Sequence, residues 1–145
     1  MRVIGSMAFV IGEFGLVSAD YEFLDFAEAR LRSDNYDFYS ENNNIQGKYT
    51  SASNIRLGTE WRLDPLTFRA GYGMYGSPFT SGVNDGERRV ISFGMGFRDK
   101  QFFMDMAYSY SKQTEDYYFY DPTLVKPVKN EMKGHNIMMT IGFKY

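Results

Sequence analysis

The sequence predicts an all-β protein, an up-and-down antiparallel sheet that forms part of a transmembrane β-barrel. Three observations predict it. Apolar and polar residues alternate with period two in seven segments. The connections between these segments are alternately tight and long. Charged residues are confined to one of the two faces that the alternation defines.

Taken in chain order, the first segment (3–11) carries Val3, Gly5, Met7, Phe9 and Ile11 on one side. The second (15–26) sets Val17, Ala19, Tyr21 and Phe23 against Ser18, Asp20 and Glu22. The third (50–63) opposes Ile55, Leu57 and Trp61 to Asn54, Arg56, Glu60 and Arg62. The fourth (66–76) repeats the pattern in the other parity, with Phe68, Ala70, Tyr72 and Met74 against Arg69, Gly71 and Gly73. The fifth (87–98) sets Ile91, Phe93, Met95 and Phe97 against Ser92, Gly94, Gly96 and Arg98. The sixth (101–112) sets Phe102, Met104, Met106, Tyr108 and Tyr110 against Asp105 and Ser109, and the seventh (134–145) sets Ile137, Met139, Ile141, Phe143 and Tyr145 against Asn136, Thr140 and Lys144. Helical periodicity surfaces only weakly, around Leu24 to Leu31.

Glu13-Phe14-Gly15, Asp64-Pro65 and Asp99-Lys100 read as tight turns; the stretches near 27–49, 77–87 and 113–133 read as long polar loops. A two-residue turn at Asp64-Pro65 predicts Glu60 opposite Arg69 and Trp61 opposite Phe68. One at Asp99-Lys100 predicts Phe97 opposite Phe102 and Met95 opposite Met104. In the first turn, a three-residue loop with Gly15 in the left-handed conformation is expected.

Composition removes several alternatives. Acidic and basic residues nearly cancel (18 against 16), so a nucleic-acid surface is not expected. Without cysteine there are no disulfides, thiolate metal sites or cysteine nucleophiles. The longest apolar run, near Met7 to Ile11, is far short of the roughly 20 residues of a membrane-spanning helix. An apolar stretch follows Arg2 without a signal-peptide cleavage site. The 145 residues are therefore expected to be one barrel segment that begins within a longer protein.

A two-faced sheet fits either a soluble β-protein with the apolar side inward or a membrane barrel with that side against lipid. The membrane reading is favoured by aromatics near the strand ends (Trp61, Phe68, Phe97, Phe102, Phe143 and Tyr145 on one edge; Tyr21, Phe23, Tyr108 and Tyr110 on the other). Glycines on the charged face favour it too, since on a solvated outer surface they would weaken strands without gain. In an antiparallel sheet of seven strands the first and last run the same way and cannot pair in the usual ladder. The chain is thus expected to belong to a larger barrel in a bacterial outer membrane.

The lumen-facing candidates for substrate contact are Arg56, Glu60, Arg69, Arg88 and Asp105. Glu60 with Arg69 reads as a salt-bridge ladder, or as a site where Arg69 takes a substrate carboxylate. Arg88 and Arg89 stand at the long-loop edge, facing anionic head groups or water. His135, the only histidine, reads as a loop-end polar residue rather than a haem or metal ligand. Asp34, Asp37, Glu41 and Asn42 to Asn44 form a polar loop whose irregular spacing suits solvent better than Ca²⁺. Tyr117-Tyr118-Phe119-Tyr120 is an aromatic cluster, either a substrate-contacting loop or an extension of the aromatic belt. No catalytic constellation, metal site or cofactor site is expected.

The stretches Val3–Gly12, Ser18–Phe26, Asn54–Arg62 and Arg69–Phe79, in this order and spacing, resemble the later strands of FadL/TodX-type outer-membrane transporters, most closely their Bacteroidetes-like members. The resemblance covers nearly the whole chain and implies the C-terminal half of a barrel of about 14 strands. It further implies passive uptake of long-chain fatty acids or hydrophobic aromatic compounds. The family's Asn-Pro-Ala hatch motif has no counterpart in this sequence. Phe143 and Tyr145, aromatics two apart, approximate the signal read by the barrel-assembly machinery, though Thr140 stands where Gly is common. Two other readings remain open at this point: a structural or adhesion barrel with binding loops, and a soluble lipid-binding β-protein.

Overall fold

The computed structural model of the chain describes residues 1–81, 84–119 and 124–143. These form one seven-stranded antiparallel sheet in strict sequence order, with a single helix. The strands are β1 (Arg2–Ile11), β2 (Gly15–Asp25), β3 (Ser51–Leu63), β4 (Leu66–Tyr75), β5 (Arg88–Arg98), β6 (Phe102–Tyr117) and β7 (Val128–Phe143); α1 (Tyr39–Lys48) lies between β2 and β3. The sheet is open, since β1 and β7 each pair with one neighbour.

Seven segments of period two thus become seven paired strands, and tight connections alternate with long ones as expected. The β3–β4 register matches as well, with Leu63 opposite Leu66, Trp61 opposite Phe68 and Glu60 opposite Arg69. Two turns differ in detail. Between β1 and β2 the three-residue loop is Gly12 to Phe14, and Gly12, not Gly15, takes the left-handed conformation (φ 57°). Gly15 is instead needed for space, because a Cβ there would lie 3.0 Å from the Trp61 ring. Between β5 and β6 Arg98 pairs with Phe103, so Phe97 meets Met104 and Met95 meets Met106. The Asp99 N–H donates to the Phe102 carbonyl at 2.9 Å and closes a wider loop. The slip is by two residues, which preserves the facing of every side chain. The Phe97 and Phe102 rings still touch, centroids 5.6 Å apart.

The larger differences lie at the long-loop edge. β6 and β7 continue well past their apolar alternation, pairing out to Tyr117 opposite Val128. Ladder hydrogen bonds run through the backbone, so charged residues can extend a hairpin where periodicity no longer marks it. His135 therefore sits within β7, its Nδ1 2.8 Å from the Tyr108 hydroxyl and its ring 5.0 Å from Tyr110. Tyr117 ends β6 and meets Phe119 edge-on, while Tyr120 lies outside the described residues. Charges also stand on the apolar face at its long-loop end, Arg89, Lys112 and Lys133 in one paired row, so the confinement of charge to one face expected from the sequence does not hold there.

The helix forms not near Leu24 to Leu31 but at Tyr39–Lys48, in the segment read as a polar loop. Its three consecutive asparagines are poor helix formers. What holds them is tertiary: Asn42 clasps the backbone N–H and carbonyl of Leu31 at 2.8 and 3.1 Å. Tyr36 donates to Glu41 at 3.1 Å, which pushes the phenol pKa up. The long connections are joined to one another, with Thr50 N–H on the Pro78 carbonyl, Thr80 N–H on the Lys48 carbonyl and Tyr49 against the Phe79 ring.

No conventional core exists among the described residues. Ala52 is the one buried apolar residue, whereas Glu22, Asn54 and Thr67 are buried polar ones. The exposed area of 10,876 Å² exceeds the roughly 7,600 Å² of a compact chain of this mass. Alternation in burial runs opposite to that of a water-soluble sheet. Along β5, Ile91, Phe93 and Met95 are exposed while Ser92 and Gly94 are half-buried and Gly96 is buried.

The apolar band also slants across the strands. The paired row through Met7, mid-band on β1, runs through Ala19, Leu57, Tyr72, Ile91 and Tyr110 to His135, the upper limit of the band on β7. The band slips by about four to five residues, roughly 15 Å, over six strand spacings of about 4.8 Å, a slope of roughly 25–30°.

Candidate functional site: the ion-pair ladder on the polar face

The polar face carries two ion-pair clusters separated by a row of small residues. Nearer the tight turns, Glu60 (β3) accepts from Arg62 Nε and Arg69 Nε, both at 2.6 Å. Arg69 (β4) also donates through a terminal nitrogen to Asp105 (β6) at 3.1 Å. Arg98 (β5) donates to both Asp105 oxygens at 2.9 and 2.8 Å. The network spans four strands, and its Arg69–Asp105 link crosses over β5.

Glycine makes that crossing feasible. Gly94 lies opposite Arg69 and Gly96 opposite Asp105. A Cβ on Gly96 would lie 2.5 Å from Asp105 Oδ1, and one on Gly94 would lie 3.5 Å from the Arg69 Cβ. A side chain at Gly96 would occupy the space in which the carboxylate meets its guanidinium partners.

Nearer the long loops the hub is Glu22, only 4% exposed. It accepts from Arg2 Nε at 2.6 Å, from Asn54 Nδ2 at 3.0 Å and from Arg56 at 3.2 Å. Arg56 also lies 3.7 Å from Asp20. A carboxylate this enclosed would be costly without several donors, and Glu22 has three. Every cation in both clusters is arginine, whose planar fork can serve two carboxylates at once.

Between the clusters, one register row crosses all seven strands as Ala8, Ser18, Gly58, Gly71, Ser92, Ser109 and Asn136. Part of it floors a groove of about 450 Å³ with Glu60 and Arg69 on one bank.

All five residues selected from the sequence lie on this face. Glu60, Arg69 and Asp105 meet in one network, and Arg56 belongs to the other. Arg88 stands apart over the Tyr75 ring at 5.9 Å, with Arg89 on the opposite face. Of the two readings of Glu60 with Arg69, the ladder is the arrangement present, and it reaches further than expected. Glu22 as a hub was not legible: its three partners come from β1 and β3, and nothing in the alternation marks it above Asp20. The segment Asp34 to Asn44 does not converge either, and among the described residues no three His, Asp or Glu side chains are grouped as metal ligands are. Phe143 is exposed on the apolar face at the end of β7; Tyr145 lies outside the described residues.

None of the family models, curated proteins or solved structures compared with the chain matches it.

Proposed function

We propose that this sheet is a wall segment of a transmembrane β-barrel in a bacterial outer membrane, with its apolar face against lipid and its charged face toward a lumen. The observation that carries the reading is the inverted burial, Glu22 at 4% exposure against Phe9 at 64% and Phe93 at 59%. Water as the outer solvent would leave these side chains unburied, a loss of about 2 kcal/mol for each large one. A hydrocarbon exterior removes that cost.

Two features support it. The apolar stretch on β6, Phe102 to Tyr110, covers about 26 Å along the strand, or roughly 20 Å once tilted, near the apolar band height of about 25 Å in such barrels. The slant of the band approaches the tilt of about 35–45° that strands adopt in membrane barrels. Open edges at β1 and β7 would pair with further strands, since unpaired backbone groups in lipid cost several kcal/mol each.

What passes through is hydrophobic small molecules such as long-chain fatty acids or aromatic compounds. This part of the proposal comes with the FadL/TodX resemblance. The ladder suits it in one respect: Arg62, Arg69 and Arg98 outnumber Glu60 and Asp105, leaving a net positive charge beside the groove for a carboxylate head group. Entry of a fluorescent fatty acid into vesicles carrying the protein provides the test. Faster entry than into empty vesicles, reduced by Arg69→Met, is expected; unchanged entry would remove the transport reading.

A further inference from the structure

Methionine is concentrated on the apolar face. Of nine in the chain, Met7, Met74, Met95, Met104, Met106 and Met139 lie there. Four of these form one patch. Met95, Met106 and Met139 face one another in a single paired row across β5, β6 and β7, and Met104 lies two residues from Met106 on the same side of β6. Cross-strand neighbours stand about 5 Å apart at Cβ, so their thioethers share one strip of surface. The row above is Phe93, Tyr108 and Ile137, which puts the strip in the middle of the apolar band.

Apolarity alone does not call for sulfur at these positions, since Leu or Ile would be as apolar against hydrocarbon. What a thioether adds is reactivity. The chain has no cysteine, so its thioethers are the sulfur atoms that a peroxide meets. Met95, Met104, Met106 and Met139 are 44, 38, 49 and 60% exposed. Met132 and Met138 of β7 are as open, at 42 and 65%, but point to the polar face. Exposure therefore does not separate the two groups, whereas the medium over each face does.

We propose that Met95, Met104, Met106 and Met139 form a sulfoxidation site for hydroperoxides carried in the membrane. The terminal peroxide oxygen bonds to the thioether sulfur as the O–O bond breaks, and the proton passes to the departing alkoxide oxygen. The thioether is oxidised to a sulfoxide and the hydroperoxide is reduced to its alcohol. The selectivity of the site rests on the reading of the apolar face as lipid-facing. Each sulfoxide places a polar group in hydrocarbon, so oxidation also weakens the seating of the sheet in the bilayer.

The test reconstitutes the full chain in vesicles of saturated phosphatidylcholine. Limiting cumene hydroperoxide, which partitions into the membrane, is compared with peroxymonosulfate, which stays in water, and peptide mapping reads the oxygen gained at each methionine. Cumene hydroperoxide should oxidise the four patch residues several-fold faster than Met132 and Met138, and peroxymonosulfate should invert that order. The urea midpoint should fall after the first reagent, and the combined Met95→Leu, Met104→Leu, Met106→Leu and Met139→Leu variant should keep its midpoint. Chain neighbours on opposite faces, Met138 and Met139, give the sharpest reading: equal rates under cumene hydroperoxide would overturn the site. Attack on the patch first by peroxymonosulfate would mean a wet apolar face and would overturn the membrane reading and the site together. A patch inert to both reagents in a chain that has entered the bilayer removes the site alone.

Discussion

The two faces of strands β3 to β6 share a backbone and differ in almost everything else. On one, Leu57, Phe68, Phe93, Met95 and Met106 stand exposed, with no second layer over them. On the other, Glu60, Arg69, Arg98 and Asp105 are linked by hydrogen bonds of 2.6 to 3.1 Å over glycines that leave room for them. The polar side chains are knitted together while the apolar ones lie uncovered. The difference teaches that this sheet needs a cover for its apolar face, and the lipid exterior proposed above would supply one.

Substitutions that transfer a property from one face to the other should break this comparison. The largest effect is expected from Met106→Arg, which puts a charge in the middle of the apolar band. It should lower stability of the bilayer-folded protein by about 2–4 kcal/mol, read by urea titration, while Ser109→Arg on the polar face should cost under about 1 kcal/mol. Equal costs would mean that the faces do not differ in solvent.

The next effect concerns the corridor over β5. Gly96→Val should cost about 1–3 kcal/mol by forcing Asp105 away from Arg98 and Arg69. Gly5→Ala on the apolar face, where a Cβ meets nothing within 4 Å, should be near neutral. Parallel urea titrations decide, and equal effects would show that the ladder has no need of the corridor.

Smaller still is the contrast between two glycines outside the faces. Gly12→Ala should cost about 1 kcal/mol because its φ of 57° suits few L-residues. Gly47→Ala within α1, with open space around it, should gain about 0.5–1 kcal/mol. The reverse order in thermal melts would refute the assignment of the first turn.

The sequence made the sheet legible wherever one face was apolar. Period two in Ile55 to Arg62 and Leu66 to Met74, joined by Asp64-Pro65, determined a register that the structure reproduces pair for pair. It failed where pairing outlasts amphipathicity. Residues 113–117 and 128–133 carry charged or polar residues on both faces, with Val128 and Met132 on the side of the polar face, so the β6–β7 extension carried no usable periodic signal, and His135 was read as an end rather than a middle. Helix α1 was hidden for the complementary reason: Asn42 to Asn44 have weak helical propensity, and the contacts that hold the helix, Asn42 to Leu31 and Glu41 to Tyr36, lie outside any periodic pattern. At the candidate site, alternation placed Arg56, Glu60, Arg69, Arg88 and Asp105 on one face. Which carboxylate would be buried depends on three partners from two other strands, and a one-dimensional pattern does not encode that.

The central claim is that lipid covers the apolar face and water the polar one. Nitroxide labels placed singly at Leu57, Tyr72, Phe93, Met106 and Ile141, and at Arg56, Ser92 and Ser109, test it in reconstituted vesicles through collision rates with oxygen and with a water-soluble nickel chelate. The account predicts oxygen-dominated relaxation at the first five positions and nickel-dominated relaxation at the last three, because successive side chains of a strand point to opposite faces. The opposite pattern, or nickel access at all eight positions, would contradict it.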